Sequence, residues 1–135
     1  MTLQAEVLLA GPPVRAKGLA LTAPISFWGG VDPKTGTIAD PRHPEHGIDI
    51  SGRALLIPAT VGSSSASAIL LELVHANLAP AAIVLHEPDA ILLLGLVVAK
   101  EMGLRTPIAL RLDRHHFSQF HDKEVAITDA GSLTI

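Results

Sequence analysis

Two short apolar runs, each feeding a helical pattern, constrain this chain most. Ala54-Leu55-Leu56-Ile57-Pro58 leads through a Gly-Ser turn into a helix over about Ser64 to Ala76, which carries Ile69-Leu70-Leu71-Glu72-Leu73-Val74. Asn77 and Pro80 mark its end. Ala81-Ala82-Ile83-Val84-Leu85 is apolar without alternation, as a strand buried on both faces must be. His86-Glu87-Pro88-Asp89 then opens a second helix, from about Asp89 to Met102, with Glu87 and Asp89 suited to its positive end. That helix is apolar nearly all round at Ile91 to Val98, which predicts that it is largely buried. Gly103 stops it, and Thr106 to Leu112 is the third strand. Strand–helix–strand–helix–strand over Ala54 to Leu112 predicts a parallel unit with right-handed crossovers.

The flanks read differently. Ala5 to Ala10 predicts a first strand, broken by Gly11-Pro12-Pro13. Ala16 to Ile25 predicts a second, where Gly18 suggests a bulge or a close approach and Pro24 limits its place in a sheet. Val125-Ala126-Ile127-Thr128 and Leu133-Thr134-Ile135, split by Asp129-Ala130-Gly131, predict a closing hairpin. The fold class is therefore α/β and layered, with β elements from both termini packed on a small α/β unit. At 135 residues a single domain spanning 1–135 is expected.

Residues 26–50 form a long irregular segment, and such loops are usually functional or docked to a partner. Most of the aromatic mass lies here, in a chain with three Phe, one Trp and no Tyr. Trp28, beside Gly29 and Gly30, either meets another surface or plugs the end of the core. His43 and His46, with Asp40 and Glu45, suggest a metal set. Pro41 and Pro44 forbid a helix there and no third ligand is evident, so a solvated loop is expected. His115, His116 and His121 fall in a polar insert, Arg114 to His121, read as an exposed loop rather than a ligand set.

Composition excludes several classes. A net charge of −3 with no basic block argues against nucleic acid. The chain has no cysteine, so any iron–sulfur or zinc–thiolate centre would belong to another chain. Met1 to Ala10 lacks the basic start of a secretory signal, and the longest apolar run, Ala90 to Ala99, is about half a membrane span. A soluble cytoplasmic protein is the expectation.

The turn Gly62-Ser63-Ser64-Ser65 carries the chemistry. A helix start presents unpaired N–H groups and partial positive charge, an anion site in waiting. No Lys follows Gly62 as in a phosphate-binding loop, and Gly-x-Ser-x-Gly is absent. Capping by Ser63 or Ser64, anion binding and catalysis all remain open.

The segment Ser26-Phe27-Trp28-Gly29-Gly30-Val31-Asp32-Pro33-Lys34-Thr35-Gly36, with Arg42-His43-Pro44-Glu45-His46-Gly47, resembles the small, swivel-type subunit of the aconitase X family. Gly62-Ser63-Ser64-Ser65 and Ala81 to Asp89 follow in the same order, and the resemblance covers about residues 5–112. It implies a swivelling β/β/α domain like the mobile domain of aconitase. It implies a hydro-lyase subunit, inactive without a cysteine-bearing large subunit that holds an iron–sulfur cluster, and no metal held by this chain. The family dehydrates small hydroxy acids. Trp28 and the Arg-His-Pro-x-His-Gly loop resemble the bacterial branch, acting on cis-3-hydroxy-L-proline, more than the archaeal branch, acting on mevalonate 5-phosphate. The family's general base falls on Ser63. Gly62, Ser64 and Ser65 would hold the substrate carboxylate or orient Ser63, with Gly29, Gly30 and Asp32 lining the cleft opposite. Many members of the family carry Arg or Lys two positions before that serine. Here the position is Val61, so either cationic help comes from elsewhere or Ser63 is a weaker base than the resemblance implies. A non-catalytic anion-binding or interaction module is the remaining alternative.

Overall fold

A computed structural model describes residues 1–135. In chain order the strands are β1 (Thr2–Gln4), β2 (Glu6–Leu9), β3 (Val14–Ala20), β4 (Val31–Asp32), β5 (Thr37–Ile38), β6 (Ala54–Ile57), β7 (Ala82–Leu85), β8 (Ile108–Arg111), β9 (Glu124–Ile127) and β10 (Ser132–Thr134). The helices are α1 (Phe27–Gly30, a single distorted turn), α2 (Ala66–His75) and α3 (Ala90–Glu101), with a 3-10 segment over Arg114–Phe120.

The parallel unit forms as the apolar runs predict. β6, β7 and β8 lie side by side, with Leu55 opposite Ile83 and Ile83 opposite Ala109. β3 extends the ladder in parallel on the free side of β6. It then pairs antiparallel with β9, which pairs with β10, which pairs with β1. β2 closes the other end, antiparallel to β8. β1 and β2 thus sit at opposite ends of the eight-stranded order, although only Ala5 separates them. The chain can satisfy both pairings only if the sheet curls until its ends meet. Ala5 is the buried corner, and its N–H donates to Gly131 O at 2.8 Å. Closure leaves no long open edge.

The curled sheet gives two β layers, and α2 and α3 cover the outside of one of them. In β6, Leu55 and Ile57 face the helices and pack with Leu70, Leu73, Leu92 and Leu96. Leu56 faces the other way, into the space between the β layers, with Val84, Leu110, Val125 and Ile127. Both faces of β6 and β7 are covered, so their sequence does not alternate. Gly18 marks a close approach: a Cβ there would lie 2.0 Å from Phe120 O.

Several expectations are corrected. α3 is not largely buried: Ile91, Leu94, Val97, Val98 and Met102 are exposed, because one sheet face and α2 cover only one side of the helix. The insert after β8 is not a simple exposed loop. Phe117 and Phe120 plug the core between the β layers, and His121 Nδ1 accepts the Ala20 N–H at 3.1 Å. Residues 26–50 are held on this chain's own core through Phe27, Val31, Ile38 and Ile50, which contradicts neither the functional nor the partner-docked reading of that loop. Phe27 is the plug; its neighbour Trp28 is 60% exposed. His43 is buried rather than solvated. Its Nδ1 accepts the Glu45 N–H at 3.0 Å, leaving Nε2–H to donate to Ala23 O at 3.2 Å. Glu45 in turn accepts from the Thr22 N–H and hydroxyl. The Arg-His-Pro-x-His-Gly loop is therefore pinned to the chain that leaves β3.

Candidate active site

The loop after β3 and the turn after β6 are stitched together. Ile25 N–H donates to Ala59 O at 3.1 Å, and Val61 N–H donates to Ile25 O at 2.9 Å. Ile25 and Thr60 form a short parallel bridge, which sets Ser26 to Gly30 beside Val61 to Ser65. Ser26 Oγ donates to Trp28 O at 3.0 Å. Gly29 has φ 79°, a left-handed conformation that most side chains resist, and a Cβ there would meet nothing within 4 Å. It turns the chain while leaving open space. Gly30 instead packs on Ile25. Asp32 lies farther along, in the β4–β5 hairpin, where Oδ1 accepts the Lys34 N–H at 2.9 Å.

In the serine turn Gly62 borders open space as well. Ser63 is half-buried; Ser64 and Ser65 are exposed. Ser63 Oγ accepts the Ser65 N–H at 3.2 Å, and Ser63 O accepts the Ala66 N–H at 3.1 Å. Ser67 Oγ donates to Ser64 O at 3.1 Å. α2 begins at Ala66, and its N-cap is Ser65 rather than Ser63 or Ser64. No side chain caps it. The helix start next door is sealed: Asp89 Oδ1 accepts the Leu92 N–H at 3.0 Å, and Asp89 Oδ2 accepts the Thr60 hydroxyl at 2.6 Å. Of two helix starts at the carboxyl ends of the parallel strands, one is closed by a carboxylate. The other is left to the serine turn, at the edge where such sheets bind ligands.

A polar cluster ends β7 and β8. Arg111 Nε donates to His86 O at 3.0 Å, and the Arg114 N–H donates to His86 Nδ1 at 3.0 Å. Asp113 accepts from the His115 N–H and faces His115 Nδ1. Those hydrogen bonds, the backbone one foremost, hold the Asp113 carboxyl down at about 2. A depressed carboxylate stabilises the fold above its unfolded value and loses that contribution as pH falls towards about 2. Asp113→Asn is thus expected to unfold less steeply between pH 4 and 2 than the parent. Urea midpoints across that range check it, and equal slopes would count against the pairing. No three His, Cys, Asp or Glu side chains of this chain come together as a metal site.

Two features of this edge were missed in the sequence. Thr60 reads as a neutral turn residue until its bond to Asp89 is seen. Gly95 sits alone inside a helical pattern, the usual sign of a packing constraint. A Cβ there would lie 2.3 Å from Ser67 O, in the first turn of α2.

Comparison with known proteins places the chain. A family model described as the aconitase X swivel domain matches residues 2–135. The cis-3-hydroxy-L-proline dehydratase of Pseudomonas aeruginosa is 50% identical over 107 residues, which are 77% of this chain and 18% of that protein. The phosphomevalonate dehydratase small subunit of Methanopyrus kandleri is 43% identical over 86 residues, 64% of each chain. The chain thus spans under a fifth of the first relative and just under two thirds of the second. Among solved structures, the holo-form of Thermococcus kodakaraensis aconitase X superposes with a TM-score of 0.85 at 26% identity, over 100% of this chain and 98% of that one. The β/β/α layering, the stitched glycine and serine loops and the match over residues 2–135 have one consequence: this chain belongs to the aconitase X swivel-domain family.

Proposed function

We propose that the chain is the small subunit of a hydro-lyase that converts cis-3-hydroxy-L-proline into 1-pyrroline-2-carboxylate, with Ser63 as general base. The observation that carries this is the uncapped start of α2, stitched beside the Gly29 turn. The first-turn N–H groups and the hydroxyls of Ser64 and Ser65 suit the substrate carboxylate. A carboxylate held there puts the adjacent carbon near Ser63. Ser63 Oγ takes the proton from that carbon. The freed electron pair forms the carbon–carbon double bond as the bond to the hydroxyl at C3 breaks; the departing hydroxide takes up one proton, so the sum is loss of the C2 proton and the C3 hydroxyl as one water. The resulting enamine takes a proton at C3 and loses its N–H proton, giving the cyclic imine. A serine is a poor base unaided, so its alkoxide depends on N–H groups such as that of Ser65. Val61 adds no charge.

Hydroxyls, backbone N–H groups and no cysteine suit an organic acid and not a cluster, so an iron–sulfur cluster falls to a large aconitase-like partner. Its contribution, when bound there, is to polarise the departing hydroxyl as a Lewis acid. The exposed Trp28 and Val61 beside the turn are apolar, which supports a second surface covering the site.

A phosphorylated hydroxy acid, mevalonate 5-phosphate, is the second reading, favoured by the relative from Methanopyrus kandleri. Co-expression with the large subunit, followed by turnover assays on both substrates, separates them. Cis-3-hydroxy-L-proline is expected to turn over faster, and a preference for the phosphorylated acid overturns the substrate assignment.

A further inference from the structure

We propose that Thr60 is a positioning residue for this reaction, fixing through Asp89 where Ser63 stands. The proposal rests on Ser63 acting at the substrate, and it concerns what holds that residue in place.

Thr60 is the junction of three segments. Its backbone bridges Ile25, which carries the Trp28 loop. Its hydroxyl donates to Asp89 Oδ2 at 2.6 Å in a partly buried setting. The other oxygen of the same carboxylate caps α3 through the Leu92 N–H. After Thr60 no side chain of the turn is anchored to another segment before Ser63. Val61 is fixed by its N–H to Ile25 O. Gly62 then borders open space, and Ser63, Ser64 and Ser65 bond only among themselves and to Ala66, Ser67 and Ile69 at the start of α2. The Thr60–Asp89 bond is the last side-chain anchor before Ser63, three residues on. Without it, Thr60 can rotate and the Gly62 hinge is fixed by backbone bonds alone. A displacement near 1 Å at a reacting group costs about 100-fold in rate.

The bond also explains why Asp89 carries a carboxylate with two tasks. A cap alone needs one oxygen. Here the second is spent on the turn of the neighbouring strand, so the start of α3 and the serine turn move as one piece.

The test uses the complex with the large subunit. Thr60→Val keeps the shape and removes the hydroxyl; Thr60→Ser keeps the hydroxyl. The expectation for Thr60→Val is a kcat loss of roughly 10- to 100-fold with KM within about threefold, restored by Thr60→Ser. Amide exchange at residues 61–65 is expected to quicken in Thr60→Val and not in Thr60→Ser. Unchanged kcat in Thr60→Val overturns the proposal, as does a loss that Thr60→Ser fails to restore. Ser63→Ala is assayed beside them. If it stays active, the base assignment fails by itself, and the anchoring role then stands or falls on the exchange at 61–65.

Discussion

On the proposed function, Ser63→Ala is expected to lower turnover of cis-3-hydroxy-L-proline by the reconstituted complex about 10²- to 10⁴-fold, the range for losing a positioned general base. The same change is expected to leave stability nearly untouched. Ser63 is not the cap of α2, and its side chain receives only a 3.2 Å bond from the Ser65 N–H. Such an exposed, long hydrogen bond contributes at most about 0.5–1 kcal/mol. Function and folding therefore separate at this residue. A serine that merely capped the helix would do the reverse, losing about 1 kcal/mol of stability and no activity. Kinetics and a thermal melt on one preparation decide between the two. Wild-type turnover in Ser63→Ala would end the base assignment. Ser64→Ala provides a graded comparison: if Ser64 holds the carboxylate, KM rises more than kcat falls.

The parallel core was legible because both faces of β6 and β7 are covered, and a doubly buried strand has an uninterrupted apolar sequence. The hairpin of β9 and β10 was legible from Asp129-Ala130-Gly131, which is local turn chemistry. The curl of the sheet was not. β1 and β2 pair with strands more than a hundred residues away, and nothing local in Thr2 to Leu9 states which ends they join. The exposed side of α3 was misread for a related reason. An all-apolar helix looks the same whether protein covers one side or two. The adjacent aromatics Phe27 and Trp28 could not be ranked either, because which one points inward depends on the backbone turn at Gly29. At the site, periodicity and capping rules led only to an anion-friendly helix start. Ser63 and the facing glycines came from the family resemblance. The partners of Thr60 and Gly95 lie on other elements, where a sequence pattern has no reach.

Gly95→Val is expected to destabilise the chain by about 3 kcal/mol, near 10 °C in Tm, and, on the proposed function, to lower dehydratase activity of the complex beyond what unfolding explains. Two effects oppose each other. Replacing a mid-helix glycine by valine gains only about a few tenths of a kcal/mol, because glycine is about 0.5–1 kcal/mol worse than alanine and the β-branched valine recovers only part of that. Against this, even the first added carbon would stand 2.3 Å from Ser67 O and 3.3 Å from Leu71 N. Those are backbone atoms, which cannot swing aside as a side-chain tip can. α2 and α3 must move apart, and the core under them, including Leu70, Leu73, Leu92 and Leu96, loses contact. The clash wins because it falls on the tightest seam between the helices. Its location also carries it into the site. Ser67 holds Ser64 O through its hydroxyl, and the serine turn hangs on that first turn of α2. Leu94→Ala, on the exposed side of the same helix, is the control and is expected to shift stability by less than about 0.5 kcal/mol. Chemical denaturation of both variants, with activity measured well below their melting temperatures, tests the pair. A Gly95→Val chain as stable and as active as the parent would show that α2 and α3 are not packed this closely.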